Sequence, residues 1–466
     1  MPPVGTDASP LRVAIVGSGP AAFYAVAHLL KQDGLHVEID MFERLPIPYG
    51  LVRSGVAPDH HKIKSVTRIF AEVASNPRFR FYGFVEFGKD ITLSDLRGHY
   101  HQILYATGAE TDKRMGIPGE DLKGSHAATE FVGWYNGHPD YRDRQFDLSQ
   151  ERAAIVGVGN VAVDVARILC LAPDELAVTD IAGHALEALS KSRVKEVYLL
   201  GRRGPAQAAF TNPEIKELGN LAEADAIVFP EEAQLDDVSR TALEASDDRA
   251  TRKKVEILQG YAAGKPAGKS RQLTIRFLIS PVELIGNTSG EVAGMRLVKN
   301  VLLTSAAGTP SPKATDRFEE LSLGLVFRSV GYRGAALPGV PFNERWGVIQ
   351  NQNGRVFDPE TQQPVVGEYC SGWIKRGPTG VIGTNKADSV ETVTCMLEDL
   401  ARDSILHPSE PQAAKMEELV RERQPKYLSF ADWLRLDEIE VKNGRAQGRP
   451  RDKFTRVEDM LAALGR

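Results

Sequence analysis

Short apolar segments alternate with amphipathic segments along the first 110 residues. Residues 11–17 (LRVAIVG) are apolar and β-branched and end in glycine, a pattern typical of a buried parallel strand. A helical pattern follows over 21–31, and residues 36–43 predict a second strand. A loop rich in Pro and Gly over 45–59, a helix over 60–74 and strands over 79–84 and 100–108 complete this part. The alternation predicts a doubly wound α/β sheet.

The pattern then starts again, with a strand over 151–159, a helix over 160–171 and a strand over 195–204. The charged stretch 231–269 predicts surface helix and loop, and 280–330 predicts hairpin and strand that complete a second sheet. Beyond a Pro- and Gly-rich stretch at 337–354, residues 368–400 read as a strand, a glycine-rich loop and a long helix. The last 60 residues are charged and predicted to be helical. A chain of 466 residues is expected to form two or three domains.

Composition narrows the function classes. A net charge of −5 gives no global attraction to nucleic acid or anionic lipid. No apolar run approaches the length that spans a membrane, and the N-terminus lacks the features of a signal peptide, so a soluble, cytoplasmic protein is expected. Cys170, Cys370 and Cys395 show neither CxxC nor metal-ligand spacing. They are therefore expected to be free thiols, with no metal site and no iron–sulfur cluster.

The first candidate site is the turn between the first strand and the first helix. Its sequence, GSGPAA, is a GxGxxA turn formed by Gly17, Gly19 and Ala22. Gly17 and Gly19 lie where pyrophosphate would approach backbone N–H groups at a helix N-terminus. Glu43 closes the second strand, and its carboxylate could accept bonds from both ribose hydroxyls. This pattern predicts an FAD site. The alternative is a tight turn that holds no ligand.

The second candidate site is the corresponding turn in the repeat. Gly157 and Gly159 again lie between strand and helix, but the next strand ends in Arg202 and Arg203 instead of an acid. A carboxylate there would repel a 2′-phosphate, whereas two guanidinium groups can bind it by charge-assisted hydrogen bonds. NADPH is therefore predicted over NADH. The alternative for the two arginines is a solvated basic loop.

Several longer motifs resemble the adrenodoxin reductase-like NADPH:ferredoxin reductases, which include bacterial ferredoxin or flavodoxin reductases and have the glutathione-reductase-type flavoprotein fold. The resemblance runs nearly from end to end. The motifs are GSGPAAFYA, PYGLVRSGVAPDHHKIK, YATGAE, IPGED, FVGWYN, GVGNVAVDVAR, GRRGPAQAAFT, RSVGYRG and GWIKRGPTGVIGTNKADS.

The resemblance implies an α/β fold with two Rossmann-like doubly wound dinucleotide-binding domains. The NADPH-binding domain, 113–333, would be inserted into an FAD-binding domain made of 10–112 and 334–466, the latter carrying a C-terminal helical extension. Activity would be that of an FAD-dependent ferredoxin–NADP⁺ reductase: a hydride passes from NADPH to FAD, and single electrons then pass to a ferredoxin or similar one-electron carrier, with supply of cytochrome P450s as one use. The protein is expected to be a monomer.

The resemblance also assigns site residues. The flavin contacts would be Ala22, Glu43, Leu51, Trp373, Gly380, Val381 and Ile382, and the NADPH contacts Asn160, Val161, Arg202, Arg203, Glu214 and Gly380. The loop before the last long helix would place a positive helix end near the reduced flavin. Trp373 could instead be a buried strand aromatic. Lys113 or Arg114 is a further candidate phosphate contact.

Hydride transfer needs stacking of the two rings more than proton chemistry. His60 and Glu217 are nevertheless candidates for a catalytic polar pair near the nicotinamide; Glu217 lies three residues from Glu214, so the two can share a helix face. Helix capping or surface exposure is the alternative for His60, and solvation the alternative for the glutamates. For ferredoxin docking, a basic face including Arg53, His61, Lys62 and Lys64 is the candidate.

The same motifs are compatible with other functions. The chain could be an electron-transferring flavoprotein subunit of a larger complex, an NADPH-dependent diaphorase, or a flavin monooxygenase. An inactive binding module is a different class. A disulfide reductase is disfavoured because it needs a redox-active cysteine pair beside the flavin.

Overall fold

The computed structural model describes residues 3–305 and 309–466. Residues 306–308, which fall in the stretch predicted to be hairpin and strand, lie outside the described residues, as do residues 1 and 2 of the N-terminal segment. The chain divides into two compact units: Met1–Thr111 with Tyr332–Arg466, and Asp112–Gly331. The first segment contains β1 (Leu11–Val16), α1 (Pro20–Leu29), β2 (Val37–Glu43), α2 (Leu51–Ser54), α3 (His61–Lys64), α4 (Thr67–Ala74), β3 (Phe79–Gly83), α5 (Leu93–His99), β4 (Gln102–Tyr105) and β5 (Thr111–Asp112).

The second unit is one continuous stretch that separates the two segments of the first unit in the sequence. It contains β6 (Ser125–Ala127), α6 (Ala128–Asn136), β7 (Arg152–Val156), α7 (Asn160–Cys170), α8 (Pro173–Ala177), α9 (Gly183–Ser190), β8 (Glu196–Leu200), α10 (Asn212–Leu218), β9 (Ala224–Val228), α11 (Pro230–Ala233), α12 (Asp237–Glu244), α13 (Arg249–Ala263), β10 (Arg271–Arg276), β11 (Ile279–Gly286), β12 (Val292–Thr304), β13 (Pro310–Ser322) and β14 (Leu325–Arg328).

The chain then returns to the first unit. This segment contains β15 (Tyr332–Arg333), β16 (Phe342–Asn343), β17 (Val348–Ile349), β18 (Asn351–Gln352), β19 (Arg355–Asp358), β20 (Gln363–Cys370), α14 (Trp373–Arg376), α15 (Thr384–Ala401), α16 (Ala413–Arg423), α17 (Phe430–Ala446) and α18 (Val457–Ala463). The predicted helical character of the last 60 residues is confirmed.

The first unit is built on a seven-stranded sheet of order β18-β19-β20-β4-β1-β2-β3. The five strands from β20 to β3 are parallel. β19 is antiparallel to β20, and the edge strand β18 is antiparallel to β19. β1 is buried at every position and lies between β2 and β4, so the strand order reverses at its carboxyl end. Ligands of doubly wound sheets bind at such a switch point.

The second unit contains a six-stranded parallel sheet of order β6-β14-β7-β8-β10-β9. β7 lies between β8 and β14 and repeats the switch point of β1. The alternating strand and helix pattern therefore predicted the central strands of both sheets, and the α/β class with two Rossmann-like units is confirmed.

Three predictions about elements need correction. The strands β11, β12 and β13 form a separate antiparallel sheet, and only β14 from this region joins the parallel sheet. The predicted helix over 60–74 is two helices, because the Ser65 and Thr67 hydroxyls donate to the carbonyls of Lys62 and Lys64 and compete with helical bonding there. The stretch 231–269 is helical but not entirely superficial, since Val255 and Leu258 of α13 are core residues.

One buried histidine makes the first unit sensitive to acid. His101 is buried, and its Nδ1 accepts a hydrogen bond of 3.0 Å from the backbone N–H of Arg12. Burial, and then the positive charges of Arg12 and His407, lower the pKa of His101 from 6.5 to about 4. Between these values the unfolded chain binds the proton and the folded chain does not, so stability falls as the pH falls through this window.

We expect the free energy of unfolding to decrease by up to ~1.4 kcal/mol per pH unit from this histidine between pH 6.5 and 4. His101→Asn keeps an acceptor toward Arg12 but cannot be protonated, so its stability should vary less steeply with pH. Urea unfolding at several pH values measures the difference. Equal slopes for the wild type and His101→Asn would show that His101 does not contribute.

Candidate functional site

The first glycine-rich turn links β1 to α1. Gly17 has φ +99°, and a Cβ there would lie 2.6 Å from the carbonyl oxygen of Ala106, which follows β4. Gly19 stands at the N-cap of α1, and a Cβ built on it meets no atom within 4 Å. The turn is thus closed on the side of the sheet and open above the helix N-terminus, which suits a pyrophosphate bound by backbone N–H groups.

Glu43, at the end of β2, reaches back to this turn. Its Oε2 accepts hydrogen bonds from the N–H (3.1 Å) and hydroxyl (2.6 Å) of Ser18, and its Oε1 accepts one from the N–H of Leu45 (3.0 Å). The carboxylate is therefore held beside the cradle. Because a carboxylate offers about four acceptor positions, capacity remains for a ribose hydroxyl, and the residues fit FAD.

The segment after β2 lies against the same turn. The N–H of Tyr49 donates to the carbonyl of Ser18 (3.0 Å), and a Cβ on Gly50 would lie 3.1 Å from the Cα of Gly19. Leu51, a predicted flavin contact, begins α2 and is 44% exposed. Ala22, the other predicted contact here, is completely buried near the start of α1. Its contribution to the site is therefore its small side chain, which allows close packing.

The prediction that Arg53 contributes to a basic docking face is wrong. Its side chain is buried and forms an ion pair with Glu440, a residue 387 positions away in the chain. His61 and Lys62 are exposed, and Lys64 is half-buried. Of the proposed docking residues, His61 and Lys62 are therefore the most accessible.

The third part of the first unit's site follows β20. Asp388 of α15 accepts from the backbone N–H of Gly372 (2.5 Å) and from the Ser371 hydroxyl (3.0 Å), and it pairs with Lys375 (3.2 Å). These bonds fix the start of α14. Sequence reasoning missed Asp388 and Lys375, whose only signal was their place in the motif that carries the glycine-rich loop.

Trp373 is the first residue of α14, half-buried, and not a strand aromatic. Its ring stacks on Tyr332 with centroids 5.8 Å apart, and its Nε1 donates to the carbonyl of Thr379 (3.1 Å). Arg376 also donates to that carbonyl and to the Thr379 hydroxyl. The loop before α15 is therefore fastened at Thr379 from two sides.

The predicted contacts Gly380, Val381 and Ile382 come directly after this fastened residue. Gly380 has φ +77°, Val381 is 51% exposed, and its N–H donates to the Thr384 hydroxyl (3.1 Å). α15 begins at Thr384, so the expected helix N-terminus follows the loop. Its positive end would stabilise negative charge placed near these three residues.

The second glycine-rich turn repeats the geometry of the first. Gly157 has φ +136°, and a Cβ there would lie 2.2 Å from the carbonyl oxygen of Ser329, just after β14. Gly159 is the N-cap of α7 with open space at its Cβ position. Asn160 begins α7 and accepts a hydrogen bond from the N–H of Thr211 (2.8 Å), while Val161 is half-buried beside it.

Arg202 and Arg203 follow β8, next to this turn in the order of the sheet. Arg202 is exposed and Arg203 half-buried. Burial, and then the positive charge of Arg202, lower the pKa of Arg203. Within residues 3–305 and 309–466, no ion pair joins either guanidinium to a carboxylate. Two adjacent cations without a counter-charge suit a dianionic phosphate, so the residues fit NADPH.

The remaining predicted residues lie as follows. Glu214 is buried on α10, and Glu217, one turn later, is half exposed and 3.7 Å from Nε of Arg167 on α7. His60 is half-buried at the N-cap of α3 in the first unit, whereas both glutamates belong to the second.

Lys113 and Arg114, the candidate phosphate contacts, are exposed, and Arg114 pairs with Asp121 and with Glu120 (3.5 Å).

The three cysteines are free and buried. Burial raises the pKa of Cys170 to about 12 and raises that of Cys370 further. Thiolates are thus disfavoured at these positions. In the described parts of the chain, no helix combines the length and the hydrophobicity of a membrane-spanning segment.

Comparison with known proteins agrees with this geometry. Residues 11–199 match the family model for pyridine nucleotide-disulphide oxidoreductases. The chain is 46% identical over 455 residues to the NADPH-ferredoxin reductase FprA of Mycobacterium leprae, covering 97% of each chain. It is 41% identical over 464 residues to human mitochondrial NADPH:adrenodoxin oxidoreductase, covering 97% of this chain and 92% of that one.

A solved structure extends the match to three dimensions. Mycobacterium tuberculosis FprA in complex with NADPH superposes with a TM-score of 0.92 at 43% identity, covering 98% of this chain and 100% of that one. The likeness therefore includes both units and the C-terminal helices. The chain belongs to the adrenodoxin reductase-like family of NADPH-ferredoxin reductases, within the glutathione-reductase-type flavoprotein fold.

Proposed function

We propose that this protein is an NADPH:ferredoxin oxidoreductase with FAD in the first unit and NADPH in the second. The observation that carries the proposal is the opposite character of two otherwise equivalent turns: Glu43 stands beside the first, and Arg202 with Arg203 beside the second. When bound, FAD accepts a hydride from NADPH and releases electrons one at a time to a one-electron carrier. Membership in the family supports both cofactors.

In the first unit, Gly17 and Gly19 leave the helix N-terminus accessible to pyrophosphate, and Glu43 would accept a hydrogen bond from a ribose hydroxyl. Asp388, Trp373 and Arg376 hold the loop that carries Gly380, Val381 and Ile382. The N-terminus of α15 would stabilise negative charge on a cofactor bound beside this loop. The chain's own contribution is thus orientation and electrostatic stabilisation.

In the second unit, Gly157, Gly159, Asn160 and Val161 form the pyrophosphate cradle, and the two arginines bind the 2′-phosphate. Glu214 is proposed as a further NADPH contact from α10. NADH would bind less tightly than NADPH because it lacks the 2′-phosphate. The positive charges of the two adjacent guanidinium groups would then remain uncompensated.

We also propose that His60 and Glu217 act as a polar pair beside the nicotinamide, with Gly380 facing the ring. His60→Gln should slow hydride transfer several-fold if the pair participates. Unchanged rates of flavin reduction and reoxidation in this variant would exclude a role for His60. Glu217→Gln, which also removes the charge facing Arg167, provides the complementary comparison.

The proposed partner is a ferredoxin or similar iron–sulfur carrier, because relatives are named for ferredoxin and adrenodoxin. We propose a cytoplasmic monomer whose exposed His61 and Lys62 contribute to electrostatic steering of an acidic carrier. The carrier would pass the electrons on to acceptors that include cytochrome P450s.

The test is a coupled assay in which the protein, NADPH and a 2Fe–2S or 4Fe–4S ferredoxin reduce cytochrome c. We expect the rate to depend on ferredoxin and to fall as salt is raised. Brisk reduction of quinones with no ferredoxin dependence would instead indicate a diaphorase. Accumulation of hydroxylated product would indicate a monooxygenase, and a rate that appears only with an additional subunit would indicate part of a larger complex.

A further inference from the structure

The C-terminal helix α17 places a buried carboxylate against the segment that covers the first cradle. Glu440 is 0% exposed, and its Oε2 accepts from Arg53 (2.8 Å) and Arg451 (2.9 Å). Its Oε1 accepts from the backbone N–H of Phe454 (2.8 Å). A fully buried carboxylate is costly unless it is paired and hydrogen-bonded. Glu440 meets both conditions, and both of its carboxylate oxygens accept hydrogen bonds from the Arg53 guanidinium.

The charge on Glu440 persists in spite of this burial. Burial alone would raise its pKa, but Arg53 and then Arg451 lower it, and the pKa lies below its ordinary value. The ion pair therefore remains charged throughout the neutral range. It can hold Arg53 in one position.

A second contact from the same helix reaches the neighbouring residues. Trp433 is 2% exposed, and the Arg53 guanidinium lies 5.1 Å from the centre of its ring. Tyr49 packs edge-on against the same ring with centroids 5.8 Å apart. Segment 49–53 is thus held at both ends by α17.

This segment adopts a conformation that needs external support. Tyr49 has φ +85°, a left-handed conformation that an aromatic residue rarely adopts. In this conformation its N–H bonds the Ser18 carbonyl, and Gly50 lies against Gly19. Such strain persists only where the surrounding structure imposes it. Trp433 and Glu440 contribute to that constraint, together with the rings of Phe23 and Phe70, which also pack against Tyr49.

We propose that Glu440 and Trp433 are positioning residues of the FAD site: through Arg53 and Tyr49 they hold segment 49–53 on the glycine-rich cradle, so the C-terminal extension is part of the cofactor-binding structure. This inference rests on the proposed binding of FAD by the first unit. Loosening of the segment should release the cofactor although no residue of α17 needs to touch it.

The test compares Glu440→Gln with Glu438→Gln, an exposed glutamate on the same helix. FAD is removed and titrated back to the full chain, far below the unfolding midpoint of the apoprotein, and binding is followed by quenching of flavin fluorescence. Visible circular dichroism of the bound flavin and hydrogen exchange over residues 48–54 are recorded on the same samples. Trp433→Phe, which leaves the ion pair intact, is measured in parallel.

We expect Glu440→Gln to raise the FAD dissociation constant at least tenfold, to alter the flavin circular dichroism and to speed exchange over 48–54, with Glu438→Gln unchanged. Trp433→Phe should raise the FAD dissociation constant about fivefold. If Glu440→Gln does not fold, Trp433→Phe tests the proposal by the same three measurements of FAD binding, flavin circular dichroism and hydrogen exchange. A dissociation constant and flavin spectrum equal to those of the control would overturn the inference, even with a lower unfolding midpoint. If the wild type itself bound no FAD, the proposed function would fail first.

Discussion

Replacement of both Arg202 and Arg203 by alanine is expected to raise the KM for NADPH at least a hundredfold and to change the KM for NADH little. A hydrogen bond to a charged group contributes about 1.5 to 3 kcal/mol, and the two guanidinium groups have no carboxylate partner in the described parts of the chain. Their loss therefore removes binding energy specific to the 2′-phosphate. Steady-state kinetics with both nucleotides measures the selectivity directly.

Arg317→Ala is the matched control, because Arg317 is an exposed arginine on β13 of the same unit. It should leave both KM values unchanged. Equal losses with NADPH and NADH in the double variant would indicate damage to the unit, and an unchanged KM for NADPH would mean that the 2′-phosphate binds elsewhere.

Gly17→Ala is expected to leave the protein almost without FAD. The substitution adds a Cβ within 2.6 Å of the Ala106 carbonyl and requires an alanine at φ +99°. The turn can accommodate it only by moving away from β4, which displaces the N–H groups of the cradle. We expect the FAD dissociation constant to rise more than a hundredfold, measured by flavin absorbance per protein after gel filtration and by titration.

Gly34→Ala separates the clash from backbone strain. Gly34 has φ +75°, but its Cβ position meets no atom within 4 Å. This variant should be destabilised by roughly 1 to 2 kcal/mol and should retain FAD. Stoichiometric FAD in Gly17→Ala, bound as tightly as in Gly34→Ala, would contradict the assignment of this turn.

Local sequence was sufficient to locate the two glycine-rich turns, because each turn joins a strand to the helix that follows it directly. Gly17 and Gly157 lie one residue after a buried strand, and the structure shows the carbonyl that excludes a side chain from each. Glu43 and Arg202 lie at the ends of the next strands, so parallel pairing alone brings them beside the turns. The alternation of strand and helix patterns along the chain was therefore sufficient to locate the two turns and the charged residues at the ends of the neighbouring strands.

The features that sequence missed depend on distant contacts. Arg53 reads as a surface cation until Glu440, 387 residues away, is placed against it. The pattern over 280–330 predicts strands that complete the second sheet, but β11 to β13 form a sheet of their own, because periodicity does not specify which strands pair. The left-handed conformation of Tyr49 has no local signal, since neither the residue type nor its neighbours favour it.

The carboxylate beside the first turn and the two guanidinium groups beside the second make NADPH the donor to a flavin in the same chain. This direction of electron flow is tested by anaerobic stopped-flow mixing of the FAD-loaded protein with NADPH and with NADH in parallel, followed by the absorbance of the oxidised flavin. Bleaching should saturate at far lower NADPH than NADH, and ferredoxin added afterwards should restore the oxidised spectrum. Equal dependence on the concentrations of both nucleotides, or no bleaching by either, would contradict an NADPH-selective transfer to FAD in this protein.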